Sequence, residues 1–173
     1  MRRLLLICVG AMFALAGMAS ARGPANEFAA GSAKTEADTV IGNEHASFDV
    51  HNVPGTSCEA SGYIVYKTDL YPVTGEPLEF EAKLDRLVIG TGEEAGGAYF
   101  AGPIQRVKQG DPNLKGQYAL FDAFDSGLGG GTGDLFRLEN ILDIPPAFPC
   151  LFPMGGHTID QGNIIIKATG LLP

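Results

Sequence analysis

The stretch "LEFEAKLD", residues 78–85, decides the fold. Its four apolar residues alternate strictly with four charged ones, and successive side chains of a β-strand point to opposite faces of a sheet. Such a strand buries one face and leaves the other in water, as is typical of antiparallel sheets. The alternation stops at Arg86, where the run "LVI" follows, and this break predicts a β-bulge or a strand that turns a corner.

Further strands with the same period lie on both sides of this stretch. Turn signals rich in glycine, proline and aspartate separate them, and 24 glycines and 11 prolines suit a chain with many turns. No helix of ordinary length is predicted beyond the N-terminal segment. The sequence therefore predicts an all-β fold, an antiparallel β-sandwich or a small barrel of about seven to eight strands. The other predicted strands are 46–53, 62–67, 98–105, 116–124, 134–142 and 162–168.

The N-terminus has the three parts of a secretory signal peptide. Two arginines precede an apolar run over residues 4–18, and Ala19-Ser20-Ala21 forms a small-residue cleavage site. The apolar run is short for a membrane span, so we expect cleavage after Ala21 and no span in the mature chain. These features predict a secreted protein, extracellular or periplasmic. We expect a signal peptide over 1–21, a flexible arm over 22–43 and one all-β domain over 44–173.

The charge of the chain disfavours nucleic acid as a partner. The full sequence of 173 residues carries a formal charge of −8, and loss of the signal peptide with its two arginines leaves 152 residues and a charge of −10. An acidic chain repels phosphate backbones and anionic lipid surfaces.

Cysteine usage predicts one disulfide. Cys8 leaves with the signal peptide, and Cys58 and Cys150 remain. An isolated pair in an oxidising compartment usually forms a bridge. The closed loop is long, so the chain-entropy model gives this bridge roughly 4 kcal/mol of stabilisation.

The stretch "FDAFDSGLGGGTGDLFRLEN", residues 121–140, carries three aspartates that invite a chemical interpretation. Asp125 and Asp134 could face each other across the turn and bind an ion weakly, with Asp122 in the same loop. The sequence lacks the regular spacing of acidic ligands that known calcium-binding loops have. The sequence "AFDSG" resembles the aspartic-peptidase signature, which would require a homodimer centred on Asp125. The favoured interpretation is a bend between two strands, because aspartate, serine and glycine are turn residues.

The histidines and the possible nucleophiles do not form a recognisable catalytic motif in the sequence. The only histidines are His45, His51 and His157, and three histidines can form a zinc site with an open position. Their spacing is not diagnostic, and scattered surface histidines are the favoured interpretation. No nucleophile elbow occurs, and no tryptophan is present to stack a sugar. We therefore predict no catalytic residues, no metal ligands and no cofactor.

The segment 143–161 differs from the rest of the chain. Four prolines within nine residues exclude a central strand and predict a long crossing loop. Its apolar side chains could contact a partner, because exposed apolar surface often marks a binding site. The favoured interpretation is that they plug one open end of the sheet sandwich, with Phe148 and Phe152 in the core. The candidate partner-binding residues are Phe148, Leu151, Phe152 and Met154.

The order of elements over residues 45–168 resembles a group of small secreted bacterial β-domains. The resemblance rests on "HASFDVHNV", "ASGYIVYK", "LEFEAKLDRLVI", "AYFAGPIQRV", "FDSGLGGGTGDLFRLEN" and "QGNIIIKA". It implies a compact antiparallel β-domain in which Asp134 and Asn163 close turns. It implies no activity and no catalytic residues, and the proline-rich insert with Cys150 departs from the group's pattern.

These observations predict a secreted, non-enzymatic module that binds a partner or has a structural role. Its partner would be an unknown protein, a glycan or an apolar ligand. Two alternatives stay open: a hydrolase of the dimeric aspartic-peptidase type, and a small carrier that holds an apolar ligand or lipid inside a barrel.

Overall fold

A computed structural model of the chain describes residues 27–35, 42–54, 56, 58–90, 95–128, 133–145, 157–158 and 161–167. The predicted signal peptide with its cleavage site lies outside these residues. So do Cys150 and all four apolar residues of the candidate partner-binding loop, Phe148, Leu151, Phe152 and Met154.

The described residues form an all-β structure, which confirms the predicted fold class. The one helical element among them is a single 3-10 turn over Pro112–Leu114. The strands are β1 Phe28–Thr35, β2 Glu44–Asn52, β3 Glu59–Tyr71, β4 Glu76–Ile89, β5 Gly97–Gln109, β6 Tyr118–Phe124, β7 Leu135–Leu142, β8 His157–Thr158 and β9 Gln161–Lys167.

All nine strands belong to one antiparallel sheet that curls into a half-barrel. Each strand from β1 to β7 pairs with the next along the chain, and β9 returns to pair with β1, so the order is β8-β7-β6-β5-β4-β3-β2-β1-β9. Of the two predicted architectures, the structure has the curled single sheet and not the two stacked sheets of a sandwich.

The concave face of the sheet is filled by aromatic rings. Centroids of neighbouring rings lie 4.8 Å apart for Phe48 and Phe100, and 5.6 Å apart for Phe100 and Phe121. These separations are those of favourable aromatic contacts. Within the described residues, the interior therefore contains a packed aromatic core. The rings belong to Phe48, Tyr66, Phe80, Phe100, Phe121 and Phe136.

The break in alternation at Arg86 is a bulge, as predicted. The pairing of β4 with β5 changes register between Ala82 and Arg86. Gly102 of β5 faces this irregular part of β4, and a Cβ atom there would lie 1.9 Å from the carbonyl oxygen of Lys83. Only glycine lets the two backbones approach so closely.

The prediction of a flexible arm over 22–43 is wrong for residues 28–35, which form β1. This strand pairs with β2 on one side and β9 on the other, so residues 28–35 belong to the sheet. A Cβ on Gly31 would lie 2.4 Å from the carbonyl oxygen of Asn163. The close approach of β9 requires small residues in β1. In the sequence alone, a run of small residues is typical of a flexible linker, which is why the strand was not predicted.

Candidate functional site

A cleft lies at one end of the half-barrel, between the β3–β4 turn, the β5–β6 connection and the end of β7. It consists of two pockets of about 330 and 150 Å³ that share Tyr71, Val73 and Asn140 in their linings. We call the two pockets together the end cleft. Because the meander alternates its connections between the two ends, this cleft lies opposite the aspartate-rich β6–β7 connection.

The larger pocket of the end cleft is mainly apolar. Leu78 and Ile141 line it from the strands, and Leu114 lines it from the 3-10 turn. Val73, at the tip of the β3–β4 turn, is 79% exposed although it is apolar. An apolar wall beside an exposed apolar side chain provides a surface on which an apolar ligand can be buried.

The smaller pocket reaches a buried carboxylate. Glu44, only 2% exposed, lies at the start of β2 and lines the pocket with Tyr66. The Tyr66 hydroxyl donates a hydrogen bond of 2.5 Å to Glu44 Oε1. Burial raises the pKa of Tyr66 well above its ordinary value, and the charge of Glu44 raises it further. Burying a carboxylate is costly, so Glu44 is a candidate for function rather than for stability.

Arg137 is one of the residues that line the smaller pocket. Its guanidinium donates to Asp122 Oδ2 at 2.8 Å and contacts the Glu139 carboxylate. Burial nevertheless raises the pKa of Asp122 to about 6. Burial also raises the pKa of the neighbouring Tyr99 to about 12, with the Asp122 charge as a smaller cause.

The raised pKa of Asp122 predicts a specific pH dependence of stability. The folded state holds the Asp122 proton more tightly than the unfolded chain does, so stability falls as the pH rises from about 4 to about 6. We expect Asp122→Asn to remove this part of the pH dependence. Urea denaturation of both proteins at several pH values measures it, and an Asp122 carboxyl that titrates near pH 4 by NMR would contradict it.

The two other aspartates of the glycine-rich stretch hold the last strand. Asp134 Oδ1 accepts hydrogen bonds of 3.0 Å from the Ser126 backbone N–H and hydroxyl, and its Oδ2 accepts one of 3.0 Å from the Ile164 N–H. Asp125 Oδ2 accepts from the Ile166 N–H at 3.2 Å. The predicted bend between two strands is confirmed, because β6 and β7 are antiparallel neighbours. The carboxylates of Asp125 and Asp134 also join this bend to β9, and we call this set of hydrogen bonds the seam.

In the folded chain, Asp125 is engaged in hydrogen bonds of the seam. Its other oxygen accepts a 2.8 Å hydrogen bond from the Gly127 N–H, so both oxygens bind backbone amides. An aspartic peptidase requires a carboxylate that shares a proton with a second one. The peptidase alternative stays a prediction, and any such activity would have to withdraw Asp125 from β9.

Metal-ligating side chains do not converge in the described part of the chain, where no group of three histidine, cysteine, aspartate or glutamate residues is placed to hold an ion. His45 and His51 are both exposed and lie six residues apart on β2, so about 20 Å separates them. His51 contacts Asp49, with 2.8 Å between Nε2 and Oδ1. His157 lies in β8 at the other edge of the sheet.

Cys58 lies just before β3 and is half-buried. Its carbonyl oxygen accepts a hydrogen bond of 3.1 Å from the Leu87 N–H. Because Cys150 lies outside the described residues, the Cys58–Cys150 bridge stays a prediction.

The sequence contained a signal for the end cleft that composition and motifs did not use. Glu44 is in phase with Ala46, Phe48 and Val50, so the period of two that places those residues in the core also places a carboxylate there. A charged residue on the apolar face of a strand is a mark of function. The hydrogen bond from Tyr66 to Glu44 could not be predicted in this way, because it depends on the register between β2 and β3.

Comparison with protein-family models, with curated proteins and with solved structures finds no match to this chain. Within the residues that the structure describes, no helix is long and apolar enough to cross a membrane.

Proposed function

We propose that the protein is a secreted, non-enzymatic binding module whose end cleft takes a small, largely apolar ligand. The observation that carries this proposal is an apolar cleft that ends at the buried Glu44–Tyr66 pair. The apolar wall supplies affinity, and the hydrogen-bonding groups at the floor orient the ligand. The proposal includes secretion directed by residues 1–21 and a disulfide between Cys58 and Cys150.

The dimensions of the cleft limit the ligand. The larger pocket, of about 330 Å³, is at the small end of the range for ligand sites, which is about 300–1,000 Å³, and the smaller pocket, of about 150 Å³, lies below that range. The aromatic rings of Tyr66, Phe80 and Phe121 fill the space below the cleft. The proposal therefore favours a compact molecule of up to three rings over a long acyl chain.

The proposal is tested with N-phenyl-1-naphthylamine, a neutral two-part aromatic probe whose fluorescence rises when it leaves water. We expect saturable binding to the mature protein. Val73→Asp should weaken this binding at least about tenfold, because the new carboxylate must lose water beside the probe. The matched control is Leu128→Asp, at the opposite end of the half-barrel, where the leucine is 60% exposed. Equal affinities of the two variants, or no saturable binding, would contradict the proposal.

A further inference from the structure

The lining of the end cleft is acidic. Of the described residues that line its two pockets, four carry a charge, and three of these are carboxylates. Asp111 lines the larger pocket, and Glu44 and Glu139 line the smaller one together with the cationic Arg137. These four side chains carry a formal charge of −2, because one positive charge is set against three negative ones. A cleft whose charges have mainly one sign concentrates ligands of the opposite sign.

Arg137 is already bound by carboxylates, so it is a poor site for an anionic ligand. Its guanidinium donates to Asp122 Oδ2 at 2.8 Å and contacts the Glu139 carboxylate. The same charges act on the neighbouring Tyr99. Burial is the main cause of the raised pKa of Tyr99, and Asp122 and Glu139 each raise this pKa by more than Arg137 lowers it. The arginine therefore does not reverse the negative sign of the local field.

The floor of the smaller pocket combines a buried carboxylate with aromatic rings. Glu44 is 2% exposed, and its Oε1 accepts a hydrogen bond from the Tyr66 hydroxyl, which is a neutral donor and leaves the charge of the carboxylate in place. Tyr66 and Tyr71 also line this pocket. An ammonium group within about 6 Å of an aromatic ring is attracted to the face of the ring. A carboxylate beside two phenol rings therefore favours an organic cation.

The cleft suits an organic cation better than a metal ion. In the described ranges of the chain, no three histidine, cysteine, aspartate or glutamate side chains are placed to hold an ion. The larger pocket is lined by Leu78, Leu114 and Ile141, which offer no ligand to a metal but can bury the apolar part of an organic molecule. Because Tyr71 lines both pockets, they adjoin each other. One molecule can therefore place an apolar group in the larger pocket and a charged group in the smaller one.

We propose that the ligand of the end cleft is an organic cation, a protonated amine attached to a compact apolar group. Its ammonium group lies in the smaller pocket near Glu44 and Glu139, and its apolar group lies against Leu78 and Ile141 in the larger pocket. This inference rests on the ligand-binding function proposed above and adds the charge of the ligand to it. Neutral aromatic molecules bind the same apolar wall more weakly, and the acidic lining repels organic anions.

Three compounds with the same two-ring skeleton test the charge of the ligand on the unaltered protein. They are 2-naphthylmethylamine, 2-naphthylmethanol and 2-naphthoic acid, which at pH 7 are a cation, a neutral molecule and an anion. In isothermal titration calorimetry we expect the amine to bind at least about tenfold more tightly than the alcohol, and the acid to bind most weakly. An alcohol that binds as tightly as the amine, or an acid that binds most tightly, would overturn this inference but leave the binding function in place. If none of the three binds saturably, both the proposed function and this inference are wrong.

Removal of single carboxylates tests where the ammonium group lies. We expect Glu44→Gln to abolish most of the preference for the amine over the alcohol, and Glu139→Gln, at an exposed position, to reduce it at least about twofold. The matched control is Glu59→Gln, which removes the same charge from the exposed first residue of β3, at the opposite end of that strand from the cleft. An unchanged preference in both cleft variants, or an equal reduction in Glu59→Gln, would overturn the proposal. If Glu44→Gln does not fold, Glu139→Gln decides between the two results.

Discussion

Replacement of Asp134 by alanine is expected to lower the free energy of unfolding by about 3–5 kcal/mol. Asp134 is fully buried, and its carboxylate accepts two bonds from Ser126 and one from the Ile164 N–H. Alanine leaves these donors without the carboxylate, and each buried unsatisfied donor costs about 1–3 kcal/mol. Because the sequence has no tryptophan, urea denaturation followed by far-ultraviolet circular dichroism is the suitable measurement.

The matched control for this prediction is Asp134→Asn. Asparagine keeps one side-chain oxygen, so it can retain the bond to one side of the seam, and its loss of stability should be clearly smaller than that of the alanine variant. Asp125→Ala, on the more exposed carboxylate of the same seam, should cost about 1–2 kcal/mol. A loss of less than about 1 kcal/mol for Asp134→Ala would contradict the role of Asp134 in holding β9.

Replacement of Phe121 by alanine should be equally severe, at about 3–5 kcal/mol. The Phe121 ring is fully buried at the centre of the half-barrel, and its centroid lies 5.6 Å from that of Phe100 and 5.9 Å from that of Phe136. Its removal leaves a cavity among rings that are fixed by β5 and β7 and cannot collapse onto one another. The same urea denaturation measures the loss.

An exposed aromatic residue provides the control for Phe121. Tyr63 on β3 is 57% exposed, and Tyr63→Ala should change stability by no more than about 0.5 kcal/mol. Similar losses for the two variants would contradict the assignment of the aromatic cluster as the core that stabilises the sheet.

The strands whose face alternates between apolar and polar residues were predictable from the sequence. The pattern of 78–85 predicted β4, and its interruption at Arg86 predicted the bulge. Strand β1 was not predictable in this way, because Gly31 and its small neighbours allow the close approach of β9 and do not form a large apolar face. Whether the sheet would curl or split in two was also beyond the sequence, since long-range pairing of β9 with β1 decides it.

Part of the candidate site could also be predicted from the sequence, and part could not. The alternation of β2 placed Glu44 on the core face, but a motif search gives weight to Asp125 and its neighbours, which the fold uses for hydrogen bonds to β9. The end cleft arises from residues far apart in the chain, such as Val73, Leu114 and Asn140. No local sequence pattern predicts that these residues lie close together, because their proximity depends on the lengths of two connections and on the curl of the sheet.

The most direct test of the central claim, that the end cleft is the ligand site, is a map of backbone amide chemical shifts during titration with small aromatic molecules. We expect the shifts to concentrate at Tyr71, Val73, Leu114 and Asn140, with a smaller change at Glu44. Glu44→Gln should alter which ring substituents bind, while Leu128→Asp should leave the map unchanged. Shifts that concentrate elsewhere on the half-barrel, or that fail to saturate, would contradict the account.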